Sequence, residues 1–278
     1  MLIRNMCLSN IIIGFFSIPF HTTLLKTWSL ADILCPLCAV AQVFSSSVTI
    51  FSLTAIAVIQ YRAIMKPLSA NLKKRTIRFL IIEIWIISIL IASPVGISRR
   101  VIVLHNAQNR SETNDRHVCM NINISDNLML IYSLFMTFTQ YIIPLITMCT
   151  IYIRIGLKLW YATLPGNPEC SRDQNLHHNK IKTIKMIITI VSVFGISWFP
   201  LQLYNIILYF DDSIRMYKHI RLVWFFCDWI AMTNCCSNPF IYAIYNERYA
   251  KELRDVYNRI RRMFSDPPPV NEIQMLEL

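Results

Sequence analysis

One acidic residue lies in the middle of an otherwise apolar segment, and it is the first candidate for chemistry in this chain. Asp228 is the only charged residue between Leu222 and Asn246. A carboxylate inside a long apolar helix is costly, and such groups usually serve a function. Two interpretations are open: Asp228 pairs with a basic group of a ligand, or it hydrogen-bonds a neighbouring helix. Asp211 and Asp212 form a second acidic pair, which either attracts a cationic ligand or is simply solvated.

Metal or enzymatic chemistry has little support in the sequence. His177 and His178 lie in the polar stretch Leu164–Asn179, which contains two prolines and a glycine and is predicted to be a flexible loop. No carboxylate pattern accompanies the two histidines, so we expect no metal site. We also expect no cofactor and no enzyme activity.

The elements that hold these residues are predicted to be membrane helices. The chain of 278 residues is 55% hydrophobic and only 15% charged, whereas a soluble domain carries about 25% charged residues. A helix that spans a bilayer needs roughly 20 apolar residues. A buried helix of a soluble protein would explain one such segment but not six. The six segments are Asn5–Leu25, Cys38–Ile59, Phe79–Ser98, Asn127–Ile153, Met186–Phe210 and Leu222–Asn246.

Basic residues predict the orientation of these segments. Most of the 27 Lys and Arg residues fall in alternate connections: after the second segment, after the fourth and in the C-terminal region. Lys and Arg are enriched on the cytoplasmic side of membrane proteins, so the C-terminus is predicted to be cytoplasmic. Counting back across six spans places the N-terminus inside as well, and no signal peptide is evident. The net charge of +11 is therefore attributed to topology rather than to nucleic acid binding.

The predicted extracellular side has features of an oxidising compartment. Its longest polar segment is Arg99–Asp126, which carries glycosylation acceptor sequences at Asn109 and Asn123. Cys35 and Cys119 also fall at predicted extracellular positions, where a disulfide can form.

A different pattern follows Asn246. Apolar residues recur at helical spacing with basic residues between them, which predicts an amphipathic helix on the inner leaflet; a partner-binding or coiled-coil helix is the alternative. A run of three prolines at 267–269 ends the pattern. We therefore assign residues 1–263 to the membrane domain and 264–278 to a disordered cytoplasmic tail. The apolar positions are Tyr249, Leu253, Val256 and Ile260.

Marker residues recur along the chain in a fixed order. They are Trp28 seven positions before Cys35, Trp85 with Pro94, Cys119, Pro144 with Tyr152, Phe194 with Trp198 and Pro200, and Asn238-Pro239-Phe240-Ile241-Tyr242. The ordered set resembles helices three to seven of rhodopsin-like (class A) G-protein-coupled receptors, and the similarity covers almost the whole chain. A single N-P-x-x-Y match would be weak, but the complete order is specific.

The resemblance implies an all-α membrane protein: a seven-transmembrane receptor bundle, here with six spans present and an amphipathic surface helix. It implies a multi-pass protein of the plasma membrane that binds an extracellular ligand and signals to a heterotrimeric G protein, with arrestin as a further partner. It also implies a disulfide between Cys35 and Cys119. Membrane lipid is an expected partner and nucleic acid is not.

The resemblance also indicates the ligand class. Gln42 stands where aminergic receptors have an Asp, and a neutral amide cannot neutralise an ammonium group. The sequence is similar here to receptors for neuropeptide Y and RFamide-type peptides, so a neuropeptide is the expected ligand. The expected pocket residues are Gln42, Trp198, Gln202, Asn205 and Asp228.

Roles inside the bundle follow from the same resemblance. Prolines lack a backbone donor and permit kinks in membrane helices, while Phe194 and Trp198 are four residues apart and stack on one helix face. Asn238 and Tyr242 are expected to hydrogen-bond neighbouring helices. Ordinary packing is the alternative for each. The expected switch residues are Tyr152, Phe194, Trp198, Pro200, Asn238, Pro239 and Tyr242.

Three departures from the family pattern affect the interpretation. The chain begins at what resembles the second helix, so we expect an incomplete gene model or a truncated isoform. Asn10 replaces an acid that helps to bind sodium, so we expect weak or no sodium modulation. Ile59-Gln60-Tyr61 replaces the D/E-R-Y triplet, and no ion pair can form between Gln60 and Lys180, so we expect weaker coupling. The residues expected to face the G protein are Gln60, Tyr61, Arg62 and Lys182.

Two other functions remain open from the sequence. One is a receptor homologue or truncated isoform that binds ligand but couples weakly or not at all. The other is a small membrane transporter. Transporters usually have internal repeats and intramembrane charges, whereas this chain shows no repeat and one deep acid.

Overall fold

The computed structural model describes residues 1–24, 28, 30–66, 73–104, 116–122, 124–162, 171–210, 217, 219–245 and 247–265. The helices and strands, in chain order, are α1 (Leu2–Leu24), α2 (Leu34–Met65), α3 (Lys74–Ser98), β1 (Arg99–Leu104), β2 (Arg116–Asn121), α4 (Asp126–Thr137), a π-helical turn (Phe138–Ile142), α5 (Ile143–Ala162), α6 (Ser171–Phe210), α7 (Ile220–Tyr245) and α8 (Glu247–Ser265).

Long apolar helices dominate the fold, as predicted. Helices suit these sequences because a helix satisfies its own backbone hydrogen bonds, which lipid cannot do. The predicted spans in α1 and α7 are helical too. Among the described residues, four helical stretches are long and apolar enough to cross a membrane by length and composition. They are Leu34–Met65, Lys74–Ser98, Asn127–Lys158 and Ile181–Leu208.

Helix α2 is the centre of the bundle and packs against α1, α3 and α5. Its buried face is rich in small polar residues, and Ser45, Ser47 and Ser52 are completely buried. Small residues allow membrane helices to approach closely, and hydroxyl groups can hydrogen-bond across or along them. Large apolar residues instead cover outward faces, as on α3, where Ile86 and Leu90 are exposed. Small polar residues inside and large apolar residues outside are the arrangement expected of a bundle surrounded by lipid.

Helix α3 lies close to α2 at Gly96. A Cβ atom built on this glycine would lie 2.7 Å from Cγ2 of Val40. Since real Cβ atoms essentially never come so close to another heavy atom, the absence of a side chain at Gly96 permits the packing distance between the two helices.

The half of the bundle toward the inner ends of the helices is filled with apolar side chains. Residues from α2, α5, α6 and α7 form one buried cluster, which includes Leu53, Ile155, Ile190 and Ile241. Tight packing of this kind resists gradual deformation. The inner end of the bundle is therefore closed in this conformation.

Helices α4 and α5 form one continuous helix that is interrupted by the π-helical turn Phe138–Ile142. The sequence predicted one unbroken span here, since nothing in its apolar pattern distinguishes a π turn from an α-helix. π turns inside α-helices frequently lie at functional sites.

A β-hairpin forms within the segment that was predicted only as a polar loop. Strands β1 and β2 pair antiparallel, with Val101 opposite Cys119. Three consecutive apolar residues, Val101–Val103, are the sequence signal that was missed, because β-branched residues favour strands. The hairpin starts directly after α3, at Arg99. Burial of the Arg99 guanidinium lowers its pKa.

The predicted disulfide is confirmed. Cys35, at the outer end of α2, is bonded to Cys119 on β2, and their Cα atoms are 5.8 Å apart. Both cysteines are buried together with Trp28. The backbone N–H of Trp28 donates a hydrogen bond of 2.7 Å to the carbonyl of His117. The hairpin is thus attached to the bundle covalently and through backbone hydrogen bonding.

The predicted flexible loop Leu164–Asn179 is wrong for residues 171–179. Helix α6 begins at Ser171 and so includes His177 and His178. The prediction relied on Pro165, Gly166 and Pro168, all of which precede Ser171 and do not interrupt the helix. Residues 163–170 lie outside the described part of the chain.

The predicted surface helix corresponds to α8, which extends to Ser265, two residues beyond the boundary that the sequence predicted. Leu253, Val256 and Tyr257 are exposed on it. The remainder of the predicted tail lies outside the described residues.

Candidate functional site

The predicted pocket residue Asp228 lies against α2. The carboxylate is 2% exposed, and Nε2 of Gln42 donates a hydrogen bond of 3.1 Å to its Oδ1. The contact joins the outer parts of α2 and α7, and the two candidates were 186 positions apart in sequence. An internal hydrogen bond was one of the two interpretations of Asp228, and the geometry shows that this bond forms.

Gln202 and Asn205, the other predicted polar pocket residues, lie on α6. Gln202 is buried, and its Oε1 accepts a hydrogen bond of 2.9 Å from the Thr137 hydroxyl on α4. Asn205 is half-buried. Thr137 was not among the predicted residues, because a threonine in an apolar segment carries no signal in sequence alone. One of these two hydrogen bonds joins α2 to α7, and the other joins α4 to α6.

Below these amides, aromatic rings connect the π-helical turn with α6. The ring centroids of Phe194 and Trp198 are 5.8 Å apart, and those of Tyr141 and Phe194 are 6.1 Å apart. Phe194 is buried and belongs to the inner apolar cluster, against which Trp198 packs. Trp198 and Phe194 therefore lie between the outer polar residues and the closed inner end.

A group of buried amides and hydroxyls lies between α1, α2 and α7. The Thr49 hydroxyl donates to Oδ1 of Asn10 at 3.1 Å and is 2.7 Å from the Ser9 hydroxyl. Asn234 and Asn238 are buried, and neither side-chain polar atom of Asn238 has a hydrogen-bond partner within the described part of the chain. The hydrogen bond expected from Asn238 to a neighbouring helix is therefore not formed in this conformation.

Two tyrosines of the expected switch are buried near the inner end. Tyr242 donates to Sδ of Met6 on α1 at 3.9 Å, which agrees with the expected contact to another helix. The hydroxyl of Tyr152 is buried without a hydrogen-bond partner among the described residues. Pro200 and Pro239 both lie inside their helices.

The inner end of α2 carries the residues expected to face a cytoplasmic partner. Gln60 and Tyr61 are half-buried, and Arg62 is exposed; on α6, Lys182 is half-buried. Oε1 of Gln60 is buried and accepts no hydrogen bond from any described group. The four residues lie at the same end of the bundle, so the structure brings them to one face.

A contact that was not predicted links α5 to the end of α2. Nζ of Lys158 donates to the carbonyl of Ile64 at 2.9 Å and lies 3.4 Å from the carbonyl of Met65. The last carbonyls of a helix have no partner within it, and a cation there is favoured by the helix dipole. Lys158 therefore caps α2 from the side.

Several predicted residues lie outside the part of the chain that the structure describes. They are Asn109, Asn123, Asp211 and Asp212, together with the side chain of Lys180.

The sequence also matches a known family. A model of the 7 transmembrane receptor (rhodopsin family) matches residues 1–242. The chain belongs to the rhodopsin family of seven-transmembrane receptors. This rhodopsin-family chain is therefore a multi-pass membrane protein and not an enzyme, and the transporter alternative loses its support.

Curated relatives of this rhodopsin-family chain are peptide receptors by name. It is 31% identical over 253 residues to the RYamide receptor of Tribolium castaneum, a match that covers 89% of this chain and 68% of that receptor. It is 29% identical to the RYamide receptor of Drosophila melanogaster, over 93% of this chain and 56% of that receptor. It is 32% identical to the neuropeptide Y receptor type 6 of Mus musculus, over 91% of this chain and 69% of that receptor.

Family membership raises the question of a sodium ion, which the resemblance predicted to be disfavoured. In the region between α1, α2 and α7, the available oxygen donors are neutral amides and hydroxyls, and Oδ1 of Asn10 already accepts the proton of Thr49. Hard cations in proteins prefer sites that include carboxylates. The donor set present here does not fit a tightly held sodium ion.

Proposed function

We propose that this chain is a receptor for an extracellular neuropeptide and that it passes the signal to a heterotrimeric G protein. The observation that carries the proposal is the hydrogen bond between Gln42 and Asp228. This bond places a buried acid among the polar groups of the outer bundle, in a chain whose relatives are named as RYamide and neuropeptide Y receptors.

The proposed ligand pocket is formed by the outer parts of α2, α6 and α7. Its polar groups belong to Gln42, Gln202, Asn205 and Asp228, and Trp198 forms its floor. Amides can donate to and accept from a peptide backbone, and the carboxylate favours a ligand with a basic side chain. A buried carboxylate attracts a guanidinium far more strongly than it would in water.

A charge-exchange experiment tests this pocket. The binding partners are an RYamide peptide and a copy of it in which each arginine is replaced by neutral citrulline. Asp228→Asn should weaken binding of the basic peptide about 30- to 4000-fold, as expected when one partner of a buried charge pair is removed, and should change binding of the citrulline peptide much less. Thr233→Val is the control, because Thr233 is exposed on the same helix and its hydroxyl donates to the carbonyl of Ile230 within that helix.

Equal loss of affinity for both peptides would show that Asp228 supports the fold and does not interact with the positive charge of the ligand. No binding of either peptide, or of neuropeptide Y, to the parent chain would refute the peptide-receptor proposal itself.

For the cytoplasmic side, we propose that Gln60, Tyr61, Arg62 and Lys182 meet the G protein, with arrestin as a second partner. The basic connections support a cytoplasmic C-terminus and insertion in the plasma membrane. Membrane lipid is proposed to surround the bundle and to bind the apolar side of α8. Residues 1–263 are proposed as the receptor domain, followed by the cytoplasmic tail.

A second candidate function is a homologue that binds peptide but couples weakly. Gln60 favours it, because a neutral amide cannot make the forked, charge-assisted contact of an arginine. The test restores Ile59→Asp and Gln60→Arg together and measures peptide-driven G-protein activation at equal surface expression. A clear rise favours the weakly coupling homologue, whereas equal activation in the parent favours the fully coupled receptor.

A further inference from the structure

The hydroxyl of Tyr141 joins the π-helical turn to α6 five residues before Pro200. It donates a hydrogen bond of 2.9 Å to the backbone carbonyl of Gly195. Pro200 lacks an N–H, so the carbonyl of Ile196, the neighbour of Gly195, has no helical donor. The bridge therefore lies next to the interrupted turn of α6 and beside the stacked ring of Phe194.

The sequence around the bridge permits this contact in two ways. Gly195 has no side chain, and a Cβ atom there would lie 3.3 Å from Cδ1 of Leu145, which is tighter than ordinary contact. The π-helical turn places Gln140, the residue before Tyr141, against α2, where its Nε2 donates to the Ser47 hydroxyl at 2.8 Å. The turn is thus anchored to the central helix on one side and donates to α6 on the other.

We propose that Tyr141 is a positioning residue for the receptor switch: its hydroxyl holds α6 in the closed position, and this bond breaks when the inner end of α6 moves outward. The proposal rests on the proposed receptor function for its signalling consequence. Its structural basis is the bridge itself together with the closed apolar cluster of the inner bundle, to which Phe194 belongs and against which Tyr141 packs.

The geometry of a swinging helix shows that the bond is sensitive to this motion. At 1.5 Å per residue, Gly195 lies about 7.5 Å and Lys185 about 22 Å from Pro200 along α6. A rigid swing about Pro200 that displaces Lys185 by one helical turn, about 5.4 Å, therefore displaces Gly195 by about 1.8 Å. A hydrogen bond of 2.9 Å stretched by that amount no longer has bonding geometry.

The test removes the hydroxyl alone. Tyr141→Phe retains the ring that contacts Phe194 but cannot donate to Gly195. Side-chain hydrogen bonds between membrane helices contribute about 0.6–1.7 kcal/mol, so the equilibrium constant for opening without peptide should rise roughly 3- to 20-fold. Basal G-protein activation should rise with it, while activation at saturating peptide should stay at the parent level, because the open state lacks the bond in both proteins.

The matched control is Tyr132→Phe. The Tyr132 hydroxyl also donates to a backbone carbonyl from the same continuous helix, at 3.0 Å, but its acceptor is Ile91 on α3 rather than α6. This variant loses the same chemical group and a comparable bond. It should leave the opening equilibrium at the parent value.

Opening is measured directly, independently of any ligand or G protein. The whole chain in lipid nanodiscs carries a fluorine label on the Lys185→Cys variant. Cys149 and Cys236, the exposed free cysteines among the described residues, and Cys170, which lies outside them, are replaced by alanine. The relative areas of the closed and open fluorine resonances give the equilibrium constant. Lys185 is exposed on α6, so the label does not enter the core.

The proposal is supported if the open fraction is larger in Tyr141→Phe than in the parent and is unchanged in Tyr132→Phe. An unchanged or smaller open fraction in Tyr141→Phe overturns it, and so does an equal increase in the control. Because these spectra need no peptide, absence of a peptide response would count against the proposed function while leaving this test intact.

Discussion

Substitution of Gly96 by alanine tests the contact between α3 and α2 at this position. The added Cβ would lie 2.7 Å from Cγ2 of Val40, about 1 Å closer than the usual separation of carbon atoms in contact. Overpacking of a well-packed core costs about 1–3 kcal/mol. Replacing a glycine by alanine within a helix contributes about 0.8–1 kcal/mol in the opposite direction. We therefore expect Gly96→Ala to be destabilising by up to about 2 kcal/mol.

The contribution of the clash can be isolated with a double-mutant cycle. Val40→Ala removes the atom that Gly96→Ala would meet, so the double variant should be more stable than the two single effects predict. Residues in contact usually couple by about 0.5–3 kcal/mol. Gly156→Ala is the matched control, because nothing lies within 4 Å of a Cβ at that position, and it should be neutral or slightly stabilising.

The assay is thermal unfolding of the purified chain in one detergent, with all variants at equal concentration. A coupling energy near zero between positions 40 and 96 would refute the reasoning, because it would mean that the helices separate freely. A destabilising effect of Gly156→Ala as large as that of Gly96→Ala would also refute it.

Two further outcomes are expected. Replacing Cys35 and Cys119 together by serine removes a cross-link between residues 84 positions apart. By the chain-entropy model this should destabilise the fold by about 4.5 kcal/mol. The melting temperature should fall to that of the parent chain after reduction of its disulfide. Replacing Lys158 by methionine keeps the apolar stem but removes the Nζ that donates to the Ile64 carbonyl. Amide hydrogen exchange at the inner end of α2 should become faster, while exchange at its outer end is unchanged. If the inner end exchanges at the same rate as in the parent, water replaces Lys158 without cost.

Most of the architecture could be predicted because membrane helices have a strong sequence signal. The absence of charge over long segments located the spans, and the marker residues gave their order. The disulfide followed from the resemblance at Cys35 and Cys119. Helix ends were less accurate, as at Ser171, because breakers such as Pro168 indicate that a helix stops without indicating how soon the next begins.

The pairings inside the bundle could not be predicted in the same way. Gln42 and Asp228 were each selected, but their hydrogen bond depends on the rotation of two helices, which apolar segments do not encode. The Tyr141 hydroxyl and Lys158 act on backbone carbonyls. Every residue presents a carbonyl, so the acceptor of such a bond has no sequence signal. The π-helical turn that positions Tyr141 likewise has no recognisable sequence signal.

The β-hairpin has a consequence for the speed of ligand capture. The bond between Cys35 and Cys119 and the hydrogen bond from Trp28 to His117 fix β2 to the bundle, so β2 cannot swing away from the outer end of α2 as a hinged lid. For the proposed peptide, movement of β2 is then not a step that slows association. Variation in affinity among related peptides should consequently be expressed as differences in residence time.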